Sequence, residues 1–460
     1  KKGCMMNYSK LVAIAGIFVS ISVARAASIG TMDYPSLADA VNNAASGATI
    51  TLSETEKISA TINVEGKSLT LDGGGNTVTF GSGFNGTMFN IAKDASLSIV
   101  NTTFDGTNDW RWVSEAAKMD PYAYELSCNE TKSTNTVGSI TKLEGALSSP
   151  LFTVSGSIIF GEGSYLRQFV FAQNDTPMIS LTGGGLTFNG ARIEYIFGIQ
   201  VRASGDATVE FTGGSIITNN YGYGNKGATY WIGGNAVATL TDAYINGNAA
   251  RARSGVIFGV VEYGKLIMDG GTICNNVSKY WGSNSSGSMI CLEGYGRFEM
   301  NGGVISGNIG TLAGAISTRW YSDNEQSVVL NSGIIRDNTT SYSTWSNANI
   351  FLRSSAVISS NAVVAGPVVV NSSSADIPGA LDNQGVIEGD LILNSGFATV
   401  TSSGEITGSV TVSAGELAIS GGVYGTDVSP WVEFGLESVK TDSGKWLIVE
   451  TDDCFIWNQG

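Results

Sequence analysis

The stretch Gly302-Gly303-Val304-Ile305-Ser306-Gly307-Asn308 is one copy of a phrase that returns along the middle of this 460-residue chain. In every copy an isoleucine precedes an asparagine by three residues. The copies occupy residues 213–219, 242–248, 270–276, 302–308, 332–338 and 355–361, with isoleucine at 216, 245, 273, 305, 335 and 358 and asparagine at 219, 248, 276, 308, 338 and 361. A repeat of 23 to 32 residues indicates a solenoid or another repeat architecture.

Each repeat contains three short strand-like segments. The first is a Gly-x-apolar run such as Gly255-Val256-Ile257-Phe258, the second alternates as in Leu266-Ile267-Met268, and the third is the phrase itself. Segments this short cannot form a sheet within one repeat. We therefore expect equivalent segments to pair in parallel, about 4.8 Å apart, with a shared apolar core. The corner asparagines are expected to form a hydrogen-bonded ladder along the stack.

On the stretches Leu266 to Asn276 and Phe298 to Asn308, the chain resembles a right-handed parallel β-helix of the pectate-lyase-like type. The resemblance is to the glycine-rich variety common in bacterial surface and adhesin-like proteins, and it covers most of residues 36–425. The resemblance implies an all-β solenoid. It does not imply one activity, because that fold hosts lyases, hydrolases, esterases, phage tailspikes and adhesins.

The chain is predicted to divide into four segments. In residues 1–26, a basic start and an apolar run end at Ala24-Arg25-Ala26, a pattern typical of a secretory signal peptide that is cleaved after Ala26. Residues 27–47 should hold a short capping helix that begins after Ser36. Residues 48–425 form the predicted β-helix, with an irregular insertion at 107–150 and shorter rungs at 366–425, and residues 426–460 form a C-terminal cap. The mature chain is expected to be secreted or at the cell surface, without a membrane span.

Composition excludes several kinds of chemistry. The chain contains no histidine, which removes histidine-based catalytic triads and most zinc or copper sites, so no metal or cofactor is expected. A net charge of −15 argues against nucleic acid as a partner and disfavours polyanions unless a local basic groove exists. Cys291 should face inward and Cys274 outward or at a corner, and free thiols are favoured for these and for Cys128 and Cys454. The oligomeric state stays open.

A row of aromatic and charged side chains is predicted at one corner of three consecutive rungs. Tyrosine faces about one strand spacing apart, flanked by charged donors and acceptors, are suited to docking a sugar chain. The alternative is an aromatic ladder that stabilises the stack by its own packing. The residues of this candidate ligand site are Tyr263, Tyr295, Tyr321, Lys265, Arg297, Glu299 and Trp320.

No residue is assigned a catalytic role. Three local clusters contain the charged groups that a polysaccharide-active enzyme needs, but none repeats the motifs of pectate lyases, polygalacturonases or pectin methylesterases. They are Arg192 with Glu194, Arg202 with Asp206, and Lys265 with Arg297 and Glu299. The favoured function is a non-catalytic, adhesin-like protein that binds polysaccharide or other surface molecules. The alternatives are a polysaccharide lyase or glycoside hydrolase acting in a groove along the solenoid, and a self-assembling structural scaffold.

Overall fold

The structure, a computed structural model, describes residues 25–106, 147–171, 176–224, 229–252, 255–278, 287–321, 326–341, 348–372 and 379–451. Within these residues the chain is nearly all β and is built from long stacks of parallel strands. This confirms the all-β, parallel part of the predicted fold and is compatible with a β-helix solenoid. The predicted signal peptide, apart from Arg25 and Ala26, and most of the predicted insertion at 107–150 lie outside the described residues, as do Cys128 and Cys454.

The first stack contains the strands that follow the Gly-x-apolar runs. Successive strands pair in parallel, so that Val201, Tyr230, Phe258 and Ile290 lie in one inward row. Its strands are Ile62–Val64, Phe89–Ile91, Phe152–Val154, Pro177–Thr182, Ile199–Ser204, Tyr230–Ile232, Phe258–Val260, Ile290–Gly294, Ile316–Tyr321, Ile350–Leu352, Val368–Val370 and the beginnings of Leu391–Ser402 and Val410–Ile419.

The second stack contains the alternating strands. Alternation places Leu266 and Met268 inward, where both are buried, and Ile267 on the outward face between them. Its strands are Thr49–Leu52, Ser68–Asp72, Ser96–Val100, Ser157–Phe160, Gly185–Asn189, Thr208–Thr212, Val237–Leu240, Lys265–Met268, Arg297–Met300, the first parts of Gln326–Arg336 and Ser355–Ala365, then Gly379–Asn383 and the last parts of Leu391–Ser402 and Val410–Ile419.

The third stack contains the repeated phrase. Its strands are Glu56–Ile58, Thr77–Phe80, Thr103–Asp105, Tyr165–Arg167, Arg192–Glu194, Ser215–Thr218, Ala243–Asn246, Thr272–Cys274, Val304–Ser306, the last parts of Gln326–Arg336 and Ser355–Ala365, Val386–Ile387, Glu405–Ile406 and Val423–Tyr424. A separate five-stranded parallel sheet follows it in the middle rungs and was not predicted. It contains Tyr221–Gly224, Ala249–Ala252, Val277–Ser278, Ile309–Gly310 and Thr339–Thr340.

The pairing corrects two of the six predicted phrase alignments. Ile217, not Ile216, pairs with Ile245 and is fully buried, because Ile216 lies on the outward side of the strand. The last copy is also misplaced. Ile358 pairs with Leu330 in the second stack, whereas the residue opposite Ile335 in the third stack is Val364.

An asparagine ladder runs through the buried corner after the third stack, as predicted for four of its members. From the second member onward, each buried asparagine accepts hydrogen bonds at its side-chain oxygen from the backbone N–H and the side-chain amide of the asparagine one rung before, at 2.8 to 3.1 Å. The side-chain oxygen of the first member, Asn220, accepts from the Ile196 N–H at 2.9 Å. The members are Asn220, Asn248, Asn276, Asn308 and Asn338. Two predicted members are wrong: Asn219 occupies the left-handed region with φ 54°, and Asn361 is exposed on a strand.

The interior is one apolar cluster that runs the length of the stacks. Aromatic rings stack on one another in its first half. Phe188 lies between Phe160 and Phe211, with ring centroids 5.6 and 5.5 Å away, and Phe89 stacks on Phe152 at 5.6 Å. Offset aromatic stacking between successive rungs adds to the energy of burial and fixes the register of the strands.

The helix Leu37–Asn43 precedes the stacks, and Ser36 is its N-cap, with the hydroxyl accepting from the Asp39 N–H at 3.0 Å. Leu37, Ala40 and Val41 are buried in the main cluster. Two strands that the sequence did not predict, Ala27–Ile29 and Met32–Tyr34, form an antiparallel hairpin beside it, and Ala27–Ile29 also pairs with Thr49–Leu52.

The other end of the described chain is also antiparallel. After the 3-10 turn Ser429–Trp431, the strands Leu436–Lys440 and Trp446–Glu450 form a hairpin. Trp446–Glu450 pairs antiparallel with Val423–Tyr424, the final strand of the third stack. An antiparallel strand at this position covers an edge that would otherwise be open to another chain.

Candidate functional site

Tyr263 and Tyr295 lie at the corner that joins the first stack to the second. This corner needs left-handed backbone, which Gly294 supplies with φ 67° and Glu262 adopts with φ 56°. The Glu262 carboxylate accepts from the Gly234 N–H at 2.6 Å, and the Tyr263 N–H donates to the Gly234 carbonyl at 3.0 Å. These contacts fix the backbone from which the Tyr263 ring projects.

The two tyrosine rings are stacked face to face. Their centroids are 4.6 Å apart and their planes differ by 5°. Tyr263 is 63% exposed, whereas Tyr295 is partly covered. One ring face of each tyrosine is therefore used inside the pair, as in the packing alternative, while much of the Tyr263 side chain remains accessible to a ligand.

The three predicted charged residues lie beside this pair on the outward face of the second stack. Lys265 and Arg297 are directly opposite each other on neighbouring strands. The Lys265 ammonium is 2.7 Å from the Glu299 carboxylate, and this hydrogen bond is the main reason that the pKa of Glu299 lies below its usual range. Glu299 is therefore ionised at neutral pH. It can accept hydrogen bonds from a ligand, but it is poorly suited to the general-acid role that glycoside hydrolysis requires.

Tyr321 and Trp320 are described only as backbone. A register shift in the strand pair places Glu293 opposite Arg319 but Gly294 opposite Tyr321, so that Trp320 is the extra residue of a bulge. Tyr321 therefore lies opposite Gly294, which is one residue before Tyr295, and not opposite Tyr295 itself. The side chains of Trp320 and Tyr321 lie outside the described residues, and their predicted role stays a prediction.

The other two charged clusters do not adjoin this corner pair. Arg192 and Glu194 form an ion pair at 2.7 Å on the third stack. The Arg202 guanidinium lies over the Trp231 ring, 5.3 Å from its centroid, on the outward side of the first stack. The Asp206 carboxylate accepts from Asn235 at 3.0 Å instead. Each of these two predicted clusters contains one carboxylate, whereas glycoside hydrolysis uses a pair.

The outward face of the second stack continues beyond Glu299. The parallel register carries its row through Val329 and Val357 to Asp382 and Thr401. An open cavity of about 230 Å³ lies over these last rungs, lined by Ser355, Ala356, Val357, Ala380, Leu381, Asp382, Thr399 and Thr401. A ligand that follows this stack would meet the tyrosine pair first and this polar cavity further along.

Both described cysteines are free thiols. Cys291 is fully buried on the first stack, and burial is the main reason that its pKa is raised to about 12. Cys274 lies beside outward-facing Asn246, with its sulfur 3.6 Å from the Asn246 side-chain oxygen, but only 6% of the residue is exposed. The burial of both residues is typical of structural cysteines.

Sequence reasoning missed a pair of arginines. Arg319 and Arg353 lie on successive rungs of the first stack, toward the C-terminal ends of their strands, and the Arg319 guanidinium is 3.7 Å from the Glu293 carboxylate. The sequence indicates this pair only weakly, because the residues around Arg319 differ from those around Arg353. Among the residues that the structure describes, no group of three or more cysteine or acidic side chains could hold a metal ion. No helix in the same residues is both long and apolar enough to cross a membrane.

Comparisons with protein-family models, with curated proteins and with solved structures found no match.

Proposed function

We propose that this protein is a secreted or cell-surface right-handed parallel β-helix of the pectate-lyase-like type, without catalytic activity, that binds glycans in the manner of an adhesin. The stacked and exposed Tyr263–Tyr295 pair beside Lys265, Arg297 and Glu299 is the observation that carries the proposal. An aromatic surface flanked by charged donors and acceptors is the usual composition of a sugar-binding surface.

The parallel stacks support the architectural part of this proposal. Each rung passes through the first, second and third stacks in that order, so that a long outward face is repeated about every 4.8 Å. In this proposal the helix Leu37–Asn43 and the hairpin Leu436–Glu450 cap the two ends. In this proposal the two elements cover strand edges that could otherwise pair with another chain.

The charges of the candidate site support binding rather than cleavage. Lys265 and Glu299 neutralise each other, and the lowered pKa of Glu299 holds it as an acceptor. A glycoside hydrolase needs one carboxyl group with a raised pKa near a second carboxylate. The site thus offers stacking and hydrogen bonds, which are enough to hold a sugar chain.

The test uses a purified chain of residues 25–460, which keeps the Ala26 hydrogen bonds to Tyr34 and Ser53. Affinity electrophoresis through neutral and acidic polysaccharides should show retention by the wild-type chain, weakened about tenfold by Tyr263→Ala, as expected for the loss of one aromatic contact. Tyr244→Ala is the matched control, since Tyr244 is 43% exposed on the third stack. Equal retention of both variants and the wild type would refute a role for this corner.

A further inference from the structure

The open cavity over the last rungs of the second stack has the size and lining that suit one sugar ring. Its volume of about 230 Å³ is below the roughly 300 Å³ at which pockets for drug-sized ligands begin. The half-buried Val357 and Ala380 line it with methyl groups, and the exposed Thr399 and Thr401 line it with hydroxyl groups. A sugar ring is divided in the same way, because its hydroxyl groups alternate with apolar C–H patches.

Asp382 is the one charged residue in the described lining of this cavity. The Gln384 side-chain amide donates to its Oδ2 at 2.7 Å, and the Thr401 hydroxyl makes a long contact to its Oδ1 at 3.4 Å. A carboxylate has about four acceptor positions, so these two donors leave Asp382 able to accept from a ligand. Two neighbouring hydroxyl groups of a sugar can donate to its two oxygens together.

An exposed aromatic residue lies at the corner next to the cavity. Phe397 precedes Thr399 by two residues and is 46% exposed, and Tyr295 precedes Arg297 by two residues in the same way. Arg297 and Thr399 each stand one residue before a single inward row, whose members pair in the order Phe298, Val328, Ala356, Leu381 and Val400. Phe397 therefore repeats the corner position of Tyr295 four rungs further along, where it offers an aromatic surface beside the cavity.

The cavity lies on the same outward face as the tyrosine pair and its charged neighbours. The row that begins at Glu299 passes through Val329 and Val357 to Asp382, so three strand spacings, about 14 Å, separate the two carboxylate-bearing positions. One glycan chain that follows the stack can reach both places. Contacts linked through one ligand in this way raise the overall affinity above that of either place alone.

We propose that the cavity around Asp382 is a second subsite of the glycan-binding face and that it takes a neutral hexose ring. The Asp382 carboxylate accepts from two neighbouring ring hydroxyls in charge-assisted hydrogen bonds, and the methyl groups of Val357 and Ala380 contact the C–H bonds of the ring. A uronic acid or a sulfated sugar is disfavoured, because its negative charge would lie beside Asp382 without a basic residue in the described lining. This subsite rests on the proposed function but on different residues.

Methyl NMR of residues 25–460, labelled at alanine and valine methyl groups, tests the proposal, because Val357 and Ala380 line the cavity. Glucose, galactose, mannose and glucuronate are added separately at millimolar concentrations. At least one of the three neutral hexoses should shift both methyl signals saturably, and glucuronate should not. Asp382→Asn should weaken the binding at least tenfold, on the order of one lost charge-assisted contact.

Glu210→Gln is the matched control for Asp382→Asn. Glu210 lies in the same outward row, six rungs before Asp382, and its carboxylate also accepts from a threonine hydroxyl at 3.4 Å. This variant should bind the hexose as the wild type does. Equal urea midpoints of the two variants and the wild type would show that Asp382→Asn is folded.

Three results would overturn the subsite: no shift with any of the neutral hexoses, an equal shift with glucuronate, or undiminished binding by Asp382→Asn. Affinity electrophoresis on the same preparations separates its failure from that of the proposed function. Retention on a polysaccharide without a methyl shift would refute the subsite and leave glycan binding at the tyrosine pair standing. A saturable methyl shift without retention on any polysaccharide would refute the proposed function and leave a hexose site at Asp382.

Discussion

Replacing Asn276 by alanine should destabilise the protein far more than removing an asparagine elsewhere. The Asn276 side-chain oxygen accepts from the backbone N–H and the side-chain amide of Asn248, both at 2.9 Å. Its amide donates to the Ile245 carbonyl and to the Asn308 side-chain oxygen, both at 3.0 Å. All four contacts are buried.

The magnitude follows from those four contacts. At about 1 kcal/mol for each hydrogen bond, Asn276→Ala should lower the free energy of unfolding by about 4 kcal/mol. One of the four contacts is that of the Asn248 backbone N–H, which is left buried without this acceptor once the Asn276 oxygen is gone. Asn361→Ala is the matched control, because Asn361 is exposed and outside the ladder, so its cost should stay below about 0.5 kcal/mol.

Urea denaturation followed by circular dichroism measures the two differences. Hydrogen exchange of the Asn248 amide adds a local readout, which is useful because a stacked-repeat protein can open one group of rungs at a time. The backbone amide of Asn248 should exchange faster in Asn276→Ala than in the wild type, and at the wild-type rate in Asn361→Ala. Equal costs for the two substitutions, or an unchanged exchange rate in Asn276→Ala, would refute the ladder as the source of stability at this corner.

Three other predictions concern buried ionisable groups. Cys291 should resist alkylation by iodoacetamide in the native state and react only on unfolding; modification at the rate of a free thiol would contradict its burial. Because its pKa rises from 9.0 to about 12 on folding, this contribution to stability is present below pH 9 and declines above it, by on the order of 1 kcal/mol at pH 10. Cys291→Ala should abolish that part of the pH dependence, and an unchanged slope would be evidence against it. The Glu56 carboxylate accepts from the Leu37 N–H at 3.0 Å, so Glu56→Ala should lower the urea midpoint by the equivalent of about 1 to 3 kcal/mol. Glu56→Gln keeps an acceptor and removes a buried charge, so its midpoint should not fall. Equal losses in the two variants would disprove this capping role.

The three-strand repeat and the N-capped helix could be predicted because they depend on local patterns. Strand alternation and the Ser36 cap are legible in single segments of sequence. The register of the strands does not follow from such local patterns at every rung. Two isoleucines are adjacent at 216–217 and two asparagines at 219–220, so the sequence there can be aligned with the next repeat in two ways. Only the burial of Ile217 in the structure selects one of these alignments.

Features that depend on contacts between rungs could not be predicted in this way. The bulge at Trp320 shifts Tyr321 away from the tyrosine row, and nothing in the local letters indicates the extra residue. The meeting of Arg319 and Arg353 depends on strand pairing across a rung. The stacking of Tyr263 on Tyr295 was predictable as a row, but the close contact that occupies one face of each ring was not.

The most direct test of the proposed function is incubation of residues 25–460 with a panel of neutral and acidic polysaccharides, with new chain ends counted over time and retention measured on the same polysaccharides. We expect retention on at least one of them and no new chain ends. Any polysaccharide cut above background would contradict a non-catalytic function and make Lys265, Arg297 and Glu299 the first residues to substitute. The absence of both cleavage and retention would contradict glycan binding.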